Sequence, residues 1–138
     1  MYEVHGWAAL RYHTHDTDQV LRDEAFSRFV KYMEGIVIDE DCYMISRKNG
    51  LDSFSVTRLH NHKYNVYVDI FKWIAENLPG SYGLLYIWDD VDVHEEHDNS
   101  NKFVVWKLSR GKLEFEEDPF LSPCIPTIED DYDPTRDD

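Results

Sequence analysis

Basic residues are scarce in this chain. Against 28 Asp and Glu there are only 14 Lys and Arg, giving a formal net charge of −14 over 138 residues. A phosphate backbone or an anionic membrane would repel such a chain, so neither nucleic acid nor a membrane is an expected partner. Cysteine is also rare. Cys42 and Cys124 cannot build a disulfide framework, and a reducing cytosol is their simplest home, so a cytoplasmic location is expected. No apolar run reaches the roughly eighteen residues of a membrane-spanning helix. Met1 to His5 shows neither a basic n-region nor an apolar h-region, so no signal peptide is expected. The G-x-S-x-G, P-loop and G-x-G-x-x-G patterns are all missing.

What is present is enough to fold. Apolar residues make up 42% and aromatics 14%, which argues against a disordered acidic chain. The length suits one domain. The charge is unevenly spread: residues 1–88 carry 12 acidic and 9 basic side chains, residues 89–138 carry 16 and 5. The second half-chain therefore holds −11 of the −14. Its acids cluster at 89–98, at 114–118 and from Glu129 to Asp133. Such runs read either as solvated surface or as a face that speeds and selects association with a basic partner.

Periodicity orders the elements. Tyr2 to Tyr12 alternates like a strand, with Val4, Ala8, Leu10 and Tyr12 on one face and His5, Trp7 and Ala9 on the other. Gly6 within it points to a bulge or a close approach. Asp16, with Gln19 three residues on, reads as the cap of a helix over 17–34 that Gly35 stops. Cys42–Arg47 and Phe54–His60 read as strands joined through Asn49-Gly50. Asn65 can cap a second helix whose buried face is Val66, Ile70, Trp73, Ile74 and Leu78, ended by Pro79-Gly80. Strands follow at Gly83–Trp88, Phe103–Leu108 and Leu113–Phe115, with an acidic loop over 89–101 and a tight turn at Arg110-Gly111. The order β-α-β-β-α-β-β-β predicts an α+β fold, with two helices packed on one face of a mainly antiparallel sheet. The expected division is one domain over 1–129 and an acidic tail, fraying, over 130–138.

Chemistry-bearing groups are few. His13/His15 and His60/His62 form two H-x-H pairs, and His94 and His97 lie in H-E-E-H, which is not the H-E-x-x-H of zincins. The pairs fall near strand ends, where exposed histidines are ordinary, so no metal site and no cofactor is expected. The alternative is a metal-dependent enzyme using the paired histidines. Cys42 reads as a small buried hydrophobe, and Cys124 lies between prolines with no adjacent base. Trp7, Trp73, Trp88 and Trp106 read mostly as core. Tyr86 and Trp88 lead directly into the acidic loop and could flank it as binding anchors.

Three segments carry a resemblance across residues 2 to about 130: His5-Gly6-Trp7; Gly80-Ser81-Tyr82-Gly83-Leu84-Leu85-Tyr86-Ile87-Trp88-Asp89-Asp90; and Arg110-Gly111-Lys112-Leu113 followed by Asp118-Pro119-Phe120-Leu121-Ser122-Pro123-Cys124-Ile125-Pro126-Thr127. Together they resemble the immunity protein 7 family of bacterial polymorphic toxin systems, contact-dependent inhibition among them. The resemblance implies a small cytosolic α+β protein, not an enzyme, encoded beside a toxin and neutralising it. It does not identify the toxin, though many toxin domains in such systems are nucleases. A phosphate-gripping nuclease must present cations, and an acidic chain can occupy them.

The expected partner is therefore a cognate toxin domain with a basic surface. The expected toxin-binding residues are Tyr86, Trp88, Asp89, Asp90, Asp92, Glu95, Glu96, Asp98, Glu114, Glu116, Glu117 and Asp118. The segment Phe120 to Thr127, stiffened by Pro119, Pro123 and Pro126, reads either as a strap covering a sheet edge or as a pre-ordered binding segment. A third reading is a generic acidic scaffold, or nucleic-acid mimic, without a toxin partner.

Overall fold

Strand β1 (Tyr2–Ala9) runs through the middle of the molecule and pairs antiparallel on both sides. The computed structural model describes residues 1–137. Helix α1 (Gln19–Glu34) follows, then a 3-10 turn (Glu40–Cys42), β2 (Tyr43–Lys48) and β3 (Leu51–His60). Next come α2 (Val66–Asn77), β4 (Tyr82–Asp89) and a minor two-stranded ribbon of β5 (Val93–His94) and β6 (His97–Asp98). The chain closes with β7 (Val104–Ser109), β8 (Lys112–Glu117) and a short helical turn, α3 (Cys124–Thr127). The main sheet has six strands in the order β2-β3-β1-β4-β7-β8. Every adjacent pair is antiparallel. The α+β class and the antiparallel sheet agree with the sequence reading; the β5–β6 ribbon and α3 are additions to its element order.

The hairpins are made by their turn residues. Asn49 and Gly50 have φ of 53° and 79°, and Arg110 and Gly111 have 49° and 76°. Two consecutive positive φ values give the tight turn whose twist matches the flanking strands. Lys48 thus pairs Leu51, and Ser109 pairs Lys112, with no residue to spare.

Alternation along the strands sends Tyr2, Val4, Ala8, Phe54, Val56, Leu85, Ile87 and Leu108 to one face, where both helices lie. Helix α1 buries Ala25, Phe29 and Met33 there, and α2 buries Tyr67, Ile70, Phe71, Ile74 and Ala75. Full burial of each large side chain stabilises by about 1.5–3 kcal/mol. The anticipated α2 stripe is rotated in the structure. Ile70, Ile74 and Leu78 are buried, but Tyr67 and Phe71 lie deeper than Val66 and Trp73. Trp73 instead stacks on Tyr32 at 4.6 Å, joining the two helices. Gly6 sits opposite this packing, where a Cβ would come within 2.8 Å of Leu85 and 3.2 Å of Phe71. The ladder runs past it without a bulge; of the two expectations, close approach is the one realised.

Helix α1 begins two residues later than its anticipated cap. The Asp18 carboxylate accepts from Leu21 N–H at 3.1 Å, the usual satisfaction of a free helix-start donor. Asp16 is drawn away to Arg22 at 3.4 Å. Nearby, the buried Asp52 carboxylate accepts from Arg47 at 2.8 Å, so this corner of the sheet is charge-paired rather than apolar.

Neither α1 nor α2 lies on the opposite face, and α3 is the only helical turn among the described residues that reaches it. One end of it carries a second small core of Trp88, Phe103 and Cys124, with Met1 and Tyr86 against it. The segment after β8 lies over this end, so it covers a face of the sheet rather than an edge. Within α3, Ile125 and Pro126 leave helical backbone, as the flanking prolines lead one to expect. The expected tail, 130–138, ends on Asp138, which lies outside the described residues.

Candidate functional site

The two acidic clusters, separate in sequence, meet at one end of the sheet. Strand β4 finishes at Asp89 and β7 starts at Val104, and β8 runs back so that Glu117 pairs Val104 and Glu116 pairs Val105. Asp98, Glu117 and Asp118 line one shallow depression with Lys102. Asp89 and Asp92 line a groove of about 390 Å³ with Tyr2, Lys63, Asp69 and Lys72, on the side of α2. The Met1 amino group donates to Asp90 at 2.9 Å.

Exposure sorts the anticipated residues into three groups. Asp90, Glu95, Glu96, Asp98, Glu114, Glu116 and Glu117 are exposed, while Tyr86, Asp89 and Asp92 are half-buried. Trp88 and Asp118 face inward, at 5% and 6% exposure. The Trp88 indole N–H donates to Ser100 O at 2.8 Å, and its ring packs on Phe103. The Asp118 carboxylate accepts from Phe120 N–H, Leu121 N–H and Ser122 Oγ–H at 2.9, 3.1 and 2.8 Å. Ser122 Oγ in turn accepts from Phe103 N–H, and Asn101 bonds Ile125 through both its side-chain oxygen and nitrogen. Ser122 and Asn101 therefore tie the segment 118–125 to the chain around Phe103, and Asp118 braces the segment from within.

The cations here are few and shared. Lys107 lies 3.4 Å from Glu116 and 3.9 Å from Glu114, and Lys102 lies 3.5 Å from Glu117. Pairs this exposed contribute little to stability and leave the end strongly negative. The field is felt inside: burial first, then the charges of Asp89 and Asp92, push the Tyr2 hydroxyl up to about 12. Asp98 is held below the usual carboxylate range by hydrogen bonds from the Ser100 side chain and backbone.

Among the described residues, neither His13/His15 nor His60/His62 joins a group of three potential metal ligands. His13 and His15 have ring centroids 6.0 Å apart. The His60 ring meets the hydroxyl of buried Tyr67, while His62 is exposed. Among the described residues, one group brings three potential metal ligands together, namely Asp92, His94 and His97. Both cysteines are buried, and burial raises both thiols, which makes poor nucleophiles.

The uncovered part of the sheet shows an aromatic pair, one member of which, Trp7, is among the tryptophans read mostly as core from the sequence. Trp7 is 48% exposed and Tyr82 44%, their rings edge-on at 6.1 Å. Alternation had already set Trp7 opposite Val4 and Ala8; what the sequence does not say is that both α1 and α2 pack on the other side.

The comparison with known families bears on this arrangement. The family model for Immunity protein 7 matches residues 1–130. The chain belongs to the Immunity protein 7 family. No curated protein and no solved structure matches it. Membership in Immunity protein 7 supports an immunity role and suggests a non-catalytic one with a toxin as partner. Among the described residues no helix is long and apolar enough to cross a membrane. The match spans every element named above, so the acidic end and the segment that covers Trp88 both lie within the Immunity protein 7 region.

Proposed function

We propose that this protein binds and neutralises a cognate bacterial toxin by covering the toxin's basic surface, without catalysis. The observation that carries this reading is the convergence of two acidic clusters, 89–98 and 114–118, on one end of a sheet in a chain of the Immunity protein 7 family. The carboxylates of Asp90, Glu95, Glu96, Asp98, Glu114, Glu116 and Glu117 make the contact, with Tyr86, Asp89 and Asp92 at its inner margin. Trp88 and Asp118 support it from within. A nuclease suits the reading, since carboxylates can take the places of phosphates on cationic groups. The action is cytoplasmic.

The test pairs this chain with the toxin domain encoded beside it. Co-expression protects cells, and the two proteins co-elute. Reversing Asp90, Glu95 and Glu96 to Lys slows association by roughly tenfold or more at low salt, and by less at 0.5 M salt, because exposed charges are screened there. Failure to protect or to form a complex overturns the function. Protection with an unchanged on-rate in the triple variant keeps the function and moves the interface elsewhere.

A further inference from the structure

The tip of the acidic end is a hairpin built from D-x-H-E-E-H. His94 and His97 are directly opposite one another across the β5–β6 ribbon, with Glu95-Glu96 as the connection. Opposed cross-strand side chains lie on the same side of a ribbon. Asp92 is two residues before His94, and a period of two returns it to that side. The spacing thus aims all three side chains at one point.

The distances bear this out. Asp92 Oδ1 lies 3.2 Å from His94 Nε2 and 3.1 Å from His97 Nε2. The two imidazole centroids are 4.6 Å apart, and the three candidate ligand atoms all fall within 4.8 Å of one another. Tetrahedral ligands at about 2.0–2.1 Å from zinc are roughly 3.4 Å from each other, so small rotations of these side chains suffice. The other carboxylate oxygen, Asp92 Oδ2, accepts from the Asn99 amide at 3.0 Å. Asn99 is itself 8% exposed, and its N–H donates to Asp92 O. A ligand carboxylate oriented by an outer amide is the support that metal sites commonly carry.

We propose that Asp92, His94 and His97 form a three-ligand site for a divalent transition-metal ion of the zinc type, which clips the β5–β6 hairpin. The donor set decides the class. Two imidazoles and one carboxylate suit zinc and its later first-row neighbours. Magnesium and calcium seek six or more oxygens, which this tip does not offer. Three protein ligands leave one position open to water or to an outside donor. The site departs from the sequence expectation of no metal and stands whether or not the tip contacts a toxin.

Isothermal titration of the full chain, free of any histidine tag, tests it with Zn²⁺, Mg²⁺ and Ca²⁺ in separate runs. One Zn²⁺ binds per chain, while Mg²⁺ and Ca²⁺ give no stoichiometric binding. His94→Ala and His97→Ala each weaken Zn²⁺ at least tenfold, and His13→Ala/His15→Ala does not. Imidazole ¹⁵N spectra of the unmutated chain show Zn²⁺ shifting the Nε2 signals of His94 and His97, a readout that no folding defect can mimic. Absence of 1:1 Zn²⁺ binding, binding that survives both tip variants, or Ca²⁺ binding as tightly as Zn²⁺ overturns the proposal.

Discussion

The two faces of the sheet use the same strands and are covered in different ways. On one, two helices bring Phe29, Ile70, Phe71 and Ile74 to full burial against Val4, Phe54 and Leu85. On the other, a single irregular segment covers one end, with Cys124 against Trp88 and Phe103, polar ties from Asn101 and Ser122, and an internal brace at Asp118. The remainder, around Trp7 and Tyr82, is open. Close packing sums many small contacts over a large area, whereas a hydrogen-bonded strap depends on a few atoms. Global stability therefore belongs to the first face and local adjustability to the second.

The comparison breaks most visibly at Phe71. Phe71→Ala removes a ring at the centre of the helical layer and lowers unfolding free energy by about 3–5 kcal/mol, read from the urea midpoint. A loss under 1 kcal/mol would mean that the helix-covered face is not the dominant core. Asp118→Ala is expected to cost less, about 1–3 kcal/mol, because three donors lose their acceptor. Its sharper readout is local: Cys124, a fully buried residue of the strap itself, becomes open to thiol reagents at a rate well above that of Cys42. Equal labelling of the two cysteines would show that the strap does not open on its own.

Alkaline pH distinguishes the faces again. The Tyr2 hydroxyl on the helical side stays protonated up to about 12 in the fold, against about 10 in an unfolded chain. Above pH 10 the unfolded chain releases a proton that the fold retains, so stability falls as pH rises through this window. Tyr67 on the same face is shifted in the same direction, chiefly by burial. Tyr2→Phe makes the decline between pH 10 and 12 shallower, as measured by urea midpoints across the range; an unchanged slope would place the titration elsewhere. The smallest effect is at the open part of the other face, where Trp7→Ser shifts stability by no more than about 0.5 kcal/mol. A larger loss would show that this ring is packed rather than presented.

The sequence made some of this legible because some signals are local. Asn49-Gly50 and Arg110-Gly111 specify their turns by backbone preference alone, and the second turn is what carries Glu116 and Glu117 back beside the loop after β4. The acidic end could be assembled on paper for that reason. Helix α2 was harder. Its run Val66-Tyr67-Val68-Asp69-Ile70-Phe71 is apolar on more than one stripe, so periodicity does not say which stripe meets the sheet. Asp16 and Asp18 are equally good caps by type, and only the distant Arg22 side chain separates them. Trp88 was the least legible. Strand β4 is buried on both faces at its end because a segment some thirty residues later returns over it, and nothing near Trp88 announces that. The meeting of Asp92 with both tip histidines needed the two-residue ribbon, which lies in a stretch too polar to read as strand.

The central position of β1 has a consequence for how the chain comes to be folded. Tyr2 is in register with His60 on one side and Asp89 on the other. In synthesis β1 precedes both of its partners and waits for them, and the hairpins β2–β3 and β7–β8 can close before it is enclosed. Pairings this distant in sequence slow folding relative to local ones. Until β4 emerges, Val4 and Ala8 have a neighbour on at most one side and the nascent sheet is limited to β1, β2 and β3; the β1–β4 pairing is then the one seam that joins β4, β7 and β8 to them.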